Sequence, residues 1–208
     1  MANNEKGFAW LRQFSRFGED SVPKHTRLDR EFEGFEAYTV LGVDGSLRQE
    51  YRYTGVYHKQ MLSRKRQIFQ RISYTLLFLC TVALFLFAGL YPAGSNRCAY
   101  VLIFECAAVV LMIFEAVDLA GYCAKLRPLQ NYEYRHTVLA LRRSSGLLSL
   151  ALVGMTLASA VYYVLHPQEE TVAACVCVVG AALAFGASAA IYLLERQVQY
   201  SAAPQKET

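Results

Sequence analysis

Four long apolar segments constrain the fold of this chain more than any other feature. They cover residues 72–91, 99–120, 146–165 and 172–194, and hold only three of the charged side chains contributed by 21 Lys and Arg and 17 Asp and Glu residues. At about 1.5 Å per residue, a helix formed by any of these segments can cross the roughly 30 Å hydrocarbon core of a bilayer. The sequence therefore predicts an all-α membrane protein, with a bundle of four transmembrane helices over residues 72–194.

The polar parts of the chain are a region before the first span, residues 1–71, and a tail, residues 195–208. In the first region we expect an amphipathic helix over residues 1–18, a charged linker over 19–34, a β-hairpin and a basic helix that continues into the first span. After the second span, Pro128 breaks the chain, and residues 131–143 are predicted to form a short cytoplasmic helix.

The hairpin is predicted from residues 35–58, where β-branched and aromatic residues flank Asp44 and Gly45. This dipeptide favours a two-residue turn with positive φ angles. Pairing across such a turn would place Tyr38 opposite Tyr51, on a face rich in tyrosine. A lone hairpin is marginally stable in water, so this face would need the membrane surface or a partner to cover it.

The distribution of basic residues predicts the orientation of the chain. Of the 21 Lys and Arg residues, 20 fall on the side of the bundle that holds both termini, and Arg97 falls on the other. Under the positive-inside rule, both termini face the cytoplasm and the protein is a multi-pass protein of the cell membrane. We interpret Tyr74 and Tyr122, at the inner ends of spans, as part of an aromatic belt at the bilayer surface.

A basic segment immediately before the first span is a candidate binding site for anionic headgroups of the inner leaflet. Such a segment attracts these lipids by about 1 kcal/mol for each charge, although a role in setting the topology would explain the same residues. Because the basic residues flank membrane segments, no nucleic-acid partner is expected. The candidate headgroup contacts are Lys59, Arg64, Lys65, Arg66 and Arg71.

Three acids, Glu105, Glu115 and Asp118, lie inside the second apolar segment. A charge at the centre of a membrane costs at least about 2.5–3.5 kcal/mol, so these side chains should face protein or water. Asp118 is close enough to the cytoplasmic end to pair with a basic residue such as Arg71, Arg142 or Arg143. No span holds a cation for Glu105, which is expected to be neutral or hydrated and to hydrogen-bond Ser159 or a nearby tyrosine.

Small residues recur at four-residue spacing in the last two spans. Such rows let helices approach to backbone contact in a membrane. We predict that they pack the third span against the fourth; homodimerisation through a neighbouring row is the alternative. The residues assigned to packing are Gly154, Ala158, Gly180, Ala184 and Ser188.

The sequence lacks the motifs of the common catalytic and metal sites. The six cysteines form no C-x-x-C pair, and the four histidines form no H-E-x-x-H motif. We therefore expect no cofactor, no metal and no enzymatic activity. Cys98 and Cys175 both fall near the outer surface, so a disulfide between them remains open.

Two functions fit these observations. The first is a non-enzymatic accessory or scaffold subunit that contacts a membrane-protein partner or the inner leaflet through its cytoplasmic face. The second is a small oligomeric transporter or conduit, coupled to protons or cations, that uses Glu105.

Overall fold

The computed structural model describes residues 34–41, 47–167 and 171–204. The chain divides into two compact units, Met1–Tyr53 and Thr54–Thr208, and each is described here by itself. The predicted amphipathic helix and all but the last residue of the predicted linker lie outside the described residues.

The first unit contains the predicted β-hairpin, with an altered register. Strands β1 (Phe35–Leu41) and β2 (Leu47–Tyr53) are antiparallel. The predicted pairing was wrong by one residue, because Tyr51 lies opposite Ala37 and Tyr38 lies opposite Glu50.

The observed register matches apolar residues at both ends of the hairpin. Leu41 pairs with Leu47, and Phe35 pairs with Tyr53, whose ring lies 5.1 Å from the Phe35 ring in a T-shaped contact. A two-residue turn would have separated both pairs, and cross-strand apolar contacts favour the register that keeps them.

The second unit contains four helices, each long and apolar enough to cross a membrane, so the four predicted apolar helices are confirmed. They are α1 (Arg64–Leu90), α2 (Ala99–Ala124), α3 (Asn131–Leu165) and α4 (Thr171–Gln197). Their outer faces expose many large apolar side chains. This surface is compatible with a multi-pass membrane protein.

Each helix extends past its predicted apolar segment at one end or at both. The basic residues from Arg64 to Arg71 form the first turns of α1, as expected, but Lys59 lies in a strand. The predicted short helix over 131–143 is not separate, because α3 continues from Asn131 through a π-helical turn at Arg135–Leu139. A reciprocal capping box between Gln130 and Glu133 explains why this helix begins at Asn131.

A small sheet lies at one end of the bundle and joins three distant parts of the chain. Its strands are β3 (Val56–Gln60), β4 (Leu129–Gln130) and β5 (Tyr200–Pro204), with antiparallel pairing of β3 to both neighbours. We call this end, where α1 and α3 begin and α2 and α4 end, the sheet end, and the opposite end the loop end. The predicted tail is thus ordered through residue 204 by pairing with β3.

Within the bundle, α3 packs against α2 and α4, and α4 also packs against α1, whereas α1 and α2 meet over a short stretch. Two apolar clusters fill the interior. The loop-side cluster includes Phe85, Ala108, Leu152, Met155 and Ala184. The sheet-side cluster includes Tyr74, Leu119, Leu141 and Ile191.

Candidate functional site at the sheet end

A basic cavity of about 580 Å³ opens at the sheet end. Strand β3, the first turns of α1 and the segment that follows α2 supply its walls. Neither Asp nor Glu is present among the described residues that line it. Its five cationic side chains are Lys59, Arg64, Arg71, Lys125 and Arg127.

Arg71 joins the wall of the cavity to the end of α2. Its guanidinium donates a 2.8 Å hydrogen bond from Nη1 to the carbonyl of Cys123, and Nη2 donates to the carbonyl of Lys125. The guanidinium also lies over the ring of Tyr122, 5.2 Å from its centroid. Its Nε is buried without a hydrogen-bond partner in the described structure.

Glu133 positions two further cations of the cavity. Its Oε1 lies 3.0 Å from Nζ of Lys125 and 2.9 Å from Nη2 of Arg127, while its Oε2 accepts a 3.3 Å hydrogen bond from the backbone of Gln130. Because Glu133 does not line the cavity, it orders these cations without closing the space between them. Both cations follow α2 and come close to Arg71 only in the folded chain.

A buried carboxylate, Glu195 of α4, lies behind the cavity and ties the helix ends together. It is 0% exposed. Its Oε2 accepts 3.1 Å hydrogen bonds from the hydroxyls of Tyr74 and Tyr122 and from Nε2 of Gln70, and its Oε1 accepts a 2.7 Å bond from Tyr200. Tyr122 and Tyr200 also line the cavity, so these two side chains belong both to the cavity wall and to the cluster around Glu195.

Hydrogen-bond donors and one cation surround the Glu195 carboxyl. Arg142 places Nη2 3.8 Å from Oε1 and donates a 2.9 Å bond to the Glu195 carbonyl. Burial, followed by the charge of Glu195, raises the pKa of Tyr200 far above its ordinary value. The phenol therefore keeps its proton and donates a hydrogen bond to the carboxyl group of Glu195.

The sequence did not identify the Glu195 cluster. Glu195 was assigned to the tail, and Tyr74 and Tyr122 were interpreted as residues of a surface belt, whereas both tyrosines are buried. The sequence did contain a signal for this cluster. Glu195 directly follows the last apolar residue of the fourth span, and Tyr74 and Tyr122 lie at the ends of the first two spans on the same side of the bundle. Patterns within one segment do not reveal that these groups meet.

Of the predicted headgroup contacts, the cavity brings together Lys59, Arg64 and Arg71. Arg66 lines a different depression, between α1 and α4, and Lys65 is exposed. The predicted basic segment is therefore divided by the fold into residues that face one cavity and residues that do not.

Glu115 is 0% exposed, and neither of its carboxyl oxygens has a hydrogen-bond partner in the described structure. It belongs to a polar layer that separates the two apolar clusters. On each helix a buried polar residue lies between members of the two clusters: Thr81 on α1, Glu115 on α2, Ser145 on α3 and Ser188 on α4. Ser149 extends the layer, with its Oγ 3.1 Å from that of Ser188.

The other two predicted acids, Glu105 and Asp118, line depressions on the surface of the bundle. Glu105 lines a groove between α1 and α2, and its expected partner Ser159 is buried with its own hydroxyl unpaired. Asp118 lines a depression between α2 and α3 that also includes Arg143, whereas Arg71 and Arg142 bind other groups.

The third and fourth spans pack against each other as predicted, and Ser188 takes part, with its Oγ 3.1 Å from that of Ser149 on α3. The two glycines pack elsewhere. Gly180 lies against α1, where an added Cβ would come within 3.0 Å of the Ala88 Cβ, and Gly154 lies against the ring of Phe104 on α2. Ala158 and Ala184 are both buried.

The six cysteines are all free, so Cys98 and Cys175 form no disulfide. Within the described residues, no group of three His, Cys, Asp or Glu side chains is placed to hold a metal ion. Comparison of the chain with protein-family models, with curated proteins and with solved structures finds no match.

Proposed function

We propose that this chain is a non-enzymatic multi-pass protein of the cell membrane, with both termini in the cytoplasm, that acts as an accessory or scaffold subunit. In this proposal the sheet end contacts the inner leaflet and binds an anionic lipid headgroup. Four apolar helices and the placement of 20 of 21 basic residues on one side support this orientation.

The basic cavity is the observation that carries the proposal. Its cations come from β3, from α1 and from the segment after α2, so they surround a space instead of forming a flat patch. Arg64, Arg71 and Arg127 line this space, and phosphate oxygens are strong acceptors for guanidinium groups. The start of α1 would lie at the membrane surface, where headgroup phosphates are concentrated.

The chain offers a matched pair of variants for a test. Lys59→Ala with Arg64→Ala removes two charges that line the cavity, and Lys65→Ala with Arg66→Ala removes two nearby charges that do not. Binding of phosphatidylserine and of phosphatidylcholine to purified protein can be compared by native mass spectrometry.

We expect the cavity double variant to lose about 30-fold in affinity for phosphatidylserine, since each charge contributes about 1 kcal/mol. The control pair should lose less than about threefold, and binding of phosphatidylcholine should not change. An equal loss in both double variants would show that diffuse charge, and not the cavity, attracts the lipid.

A conduit for protons or cations is the second candidate function, and the buried polar layer favours it. That layer places Glu115, with both oxygens unpaired, at the level of buried hydroxyls on the other three helices. The structure therefore directs a transport hypothesis towards Glu115 rather than Glu105. Proton flux into proteoliposomes that is abolished by Glu115→Gln in a folded protein would support the conduit over the scaffold.

A further inference from the structure

A groove of about 510 Å³ runs between α1 and α2 in the half of the bundle nearer the loop end. It exists because these two helices meet over a short stretch, and because Gly89 adds no side chain to its floor: an added Cβ there would have no atom within 4 Å. Phe85, Leu102 and Val109 are among its apolar walls, and Glu105 is its one ionisable carboxyl.

The carboxyl of Glu105 is incompletely satisfied in this groove. Its Oε1 is buried and has no hydrogen-bond partner within the described part of the chain. Glu105 is six residues from the start of α2, so it lies about 9 Å along the helix axis from Ala99. Lipid chains could fill the apolar part of the groove, but they offer no group that could pair with a carboxyl.

The missing group can be defined by its chemistry. The four apolar segments contain no Lys, Arg or His, so none of the spans brings a cation to this depth. A second copy seated in the groove would bring apolar side chains or another carboxyl. A basic side chain from a different membrane protein would neutralise Glu105 and be neutralised by it, which lowers the cost of placing either charge in the membrane.

We propose that the groove between α1 and α2 docks a transmembrane helix of another protein, which places a Lys or Arg side chain against Glu105. This inference rests on the accessory role proposed above and gives the chemistry of the partner. The apolar walls would hold the partner's aliphatic side chains, and the ion pair would select its register and identity.

Cys106 allows a direct test, because it is exposed, neighbours Glu105 and lines the same groove. The probes are synthetic leucine-rich transmembrane helices that carry either one lysine or a leucine at the depth of Glu105, with a cysteine one turn away. The full chain is reconstituted with each helix in phosphatidylcholine vesicles and oxidised, and disulfides formed through Cys106 are counted by mass spectrometry.

We expect about tenfold more cross-linking to the lysine helix than to the leucine helix. This ratio corresponds to a difference of about 1.4 kcal/mol between the binding free energies of the two helices. Glu105→Gln should remove this preference. Gly89→Leu should also reduce cross-linking by filling the groove, whereas Gly186→Leu is its control on α4, where an added Cβ likewise meets no atom within 4 Å.

Two results would overturn the proposal. Equal cross-linking of the lysine and leucine helices to the unaltered protein would show that Glu105 selects no basic partner. Efficient Cys106 to Cys106 disulfides between two copies of the chain, unaffected by the lysine helix, would show that a second copy occupies the groove. Either result would leave the lipid test at the sheet end unaffected, so the two proposals can fail separately.

Discussion

Replacing Glu195 with alanine should destabilise the protein more than any other single change at the sheet end. The substitution leaves the hydroxyls of Tyr74, Tyr122 and Tyr200 without their shared acceptor, and it leaves Arg142 without the carboxylate. Each buried donor left unsatisfied costs about 1–3 kcal/mol, so losing an acceptor that three tyrosines share should cost about 3–5 kcal/mol.

Thermal unfolding in a mild detergent, followed by circular dichroism, measures this cost. For a chain of this length, 1 kcal/mol corresponds to about 2–4 °C, so Tm should fall by about 10 °C in Glu195→Ala. Tyr74→Phe removes two hydrogen bonds, the one that the hydroxyl donates to Glu195 and the one that it accepts from Gln70, and should lower Tm by about 5 °C. Gln197→Ala, an exposed neighbour on the same helix, is the control and should leave Tm unchanged. A fall of less than about 2 °C in Glu195→Ala would refute the reasoning.

Two further predictions follow from close contacts in the bundle and around the cavity. Gly180→Leu should lower the free energy of unfolding by about 1–3 kcal/mol, measured by thermal unfolding, because the new side chain must displace Ala88. The control, Gly186→Leu, should lower it by less than about 0.5 kcal/mol. Glu133→Gln should retain the helix cap but free the cations of Lys125 and Arg127 from their ion pairs. The affinity for phosphatidylserine, measured by native mass spectrometry, should therefore rise about fivefold, and an unchanged or lower affinity would contradict this.

The four helices could be predicted because membrane-length apolar segments are a local property of the sequence. Their ends could not be placed as well. Polar residues such as Arg64 and Asn131 begin helices that extend past the apolar segments, and apolarity does not mark these boundaries. The turn dipeptide Asp44–Gly45 correctly indicated a hairpin, but the strands pair one residue away from the predicted register, with Leu41 opposite Leu47.

The candidate site was predictable only in part, because it depends on contacts between distant segments. Lys59, Arg64 and Arg71 were found from their position before the first span. Lys125 and Arg127 were missed, since only the folding of α2 against α1 brings them to the same cavity. For Glu195 and its tyrosines, position along the chain suggested a membrane surface, and the interior contacts reversed that interpretation.

The central claim is that the sheet end, with its basic cavity, faces the cytoplasm. Single cysteines at Ser201 in β5 and at Pro167 after α3 mark the two ends of the bundle, and both native residues are exposed. In a background without other reactive cysteines, a membrane-impermeant maleimide should label Pro167→Cys in intact cells and Ser201→Cys only after permeabilisation. Labelling of Ser201→Cys in intact cells, with protection of Pro167→Cys, would contradict the account.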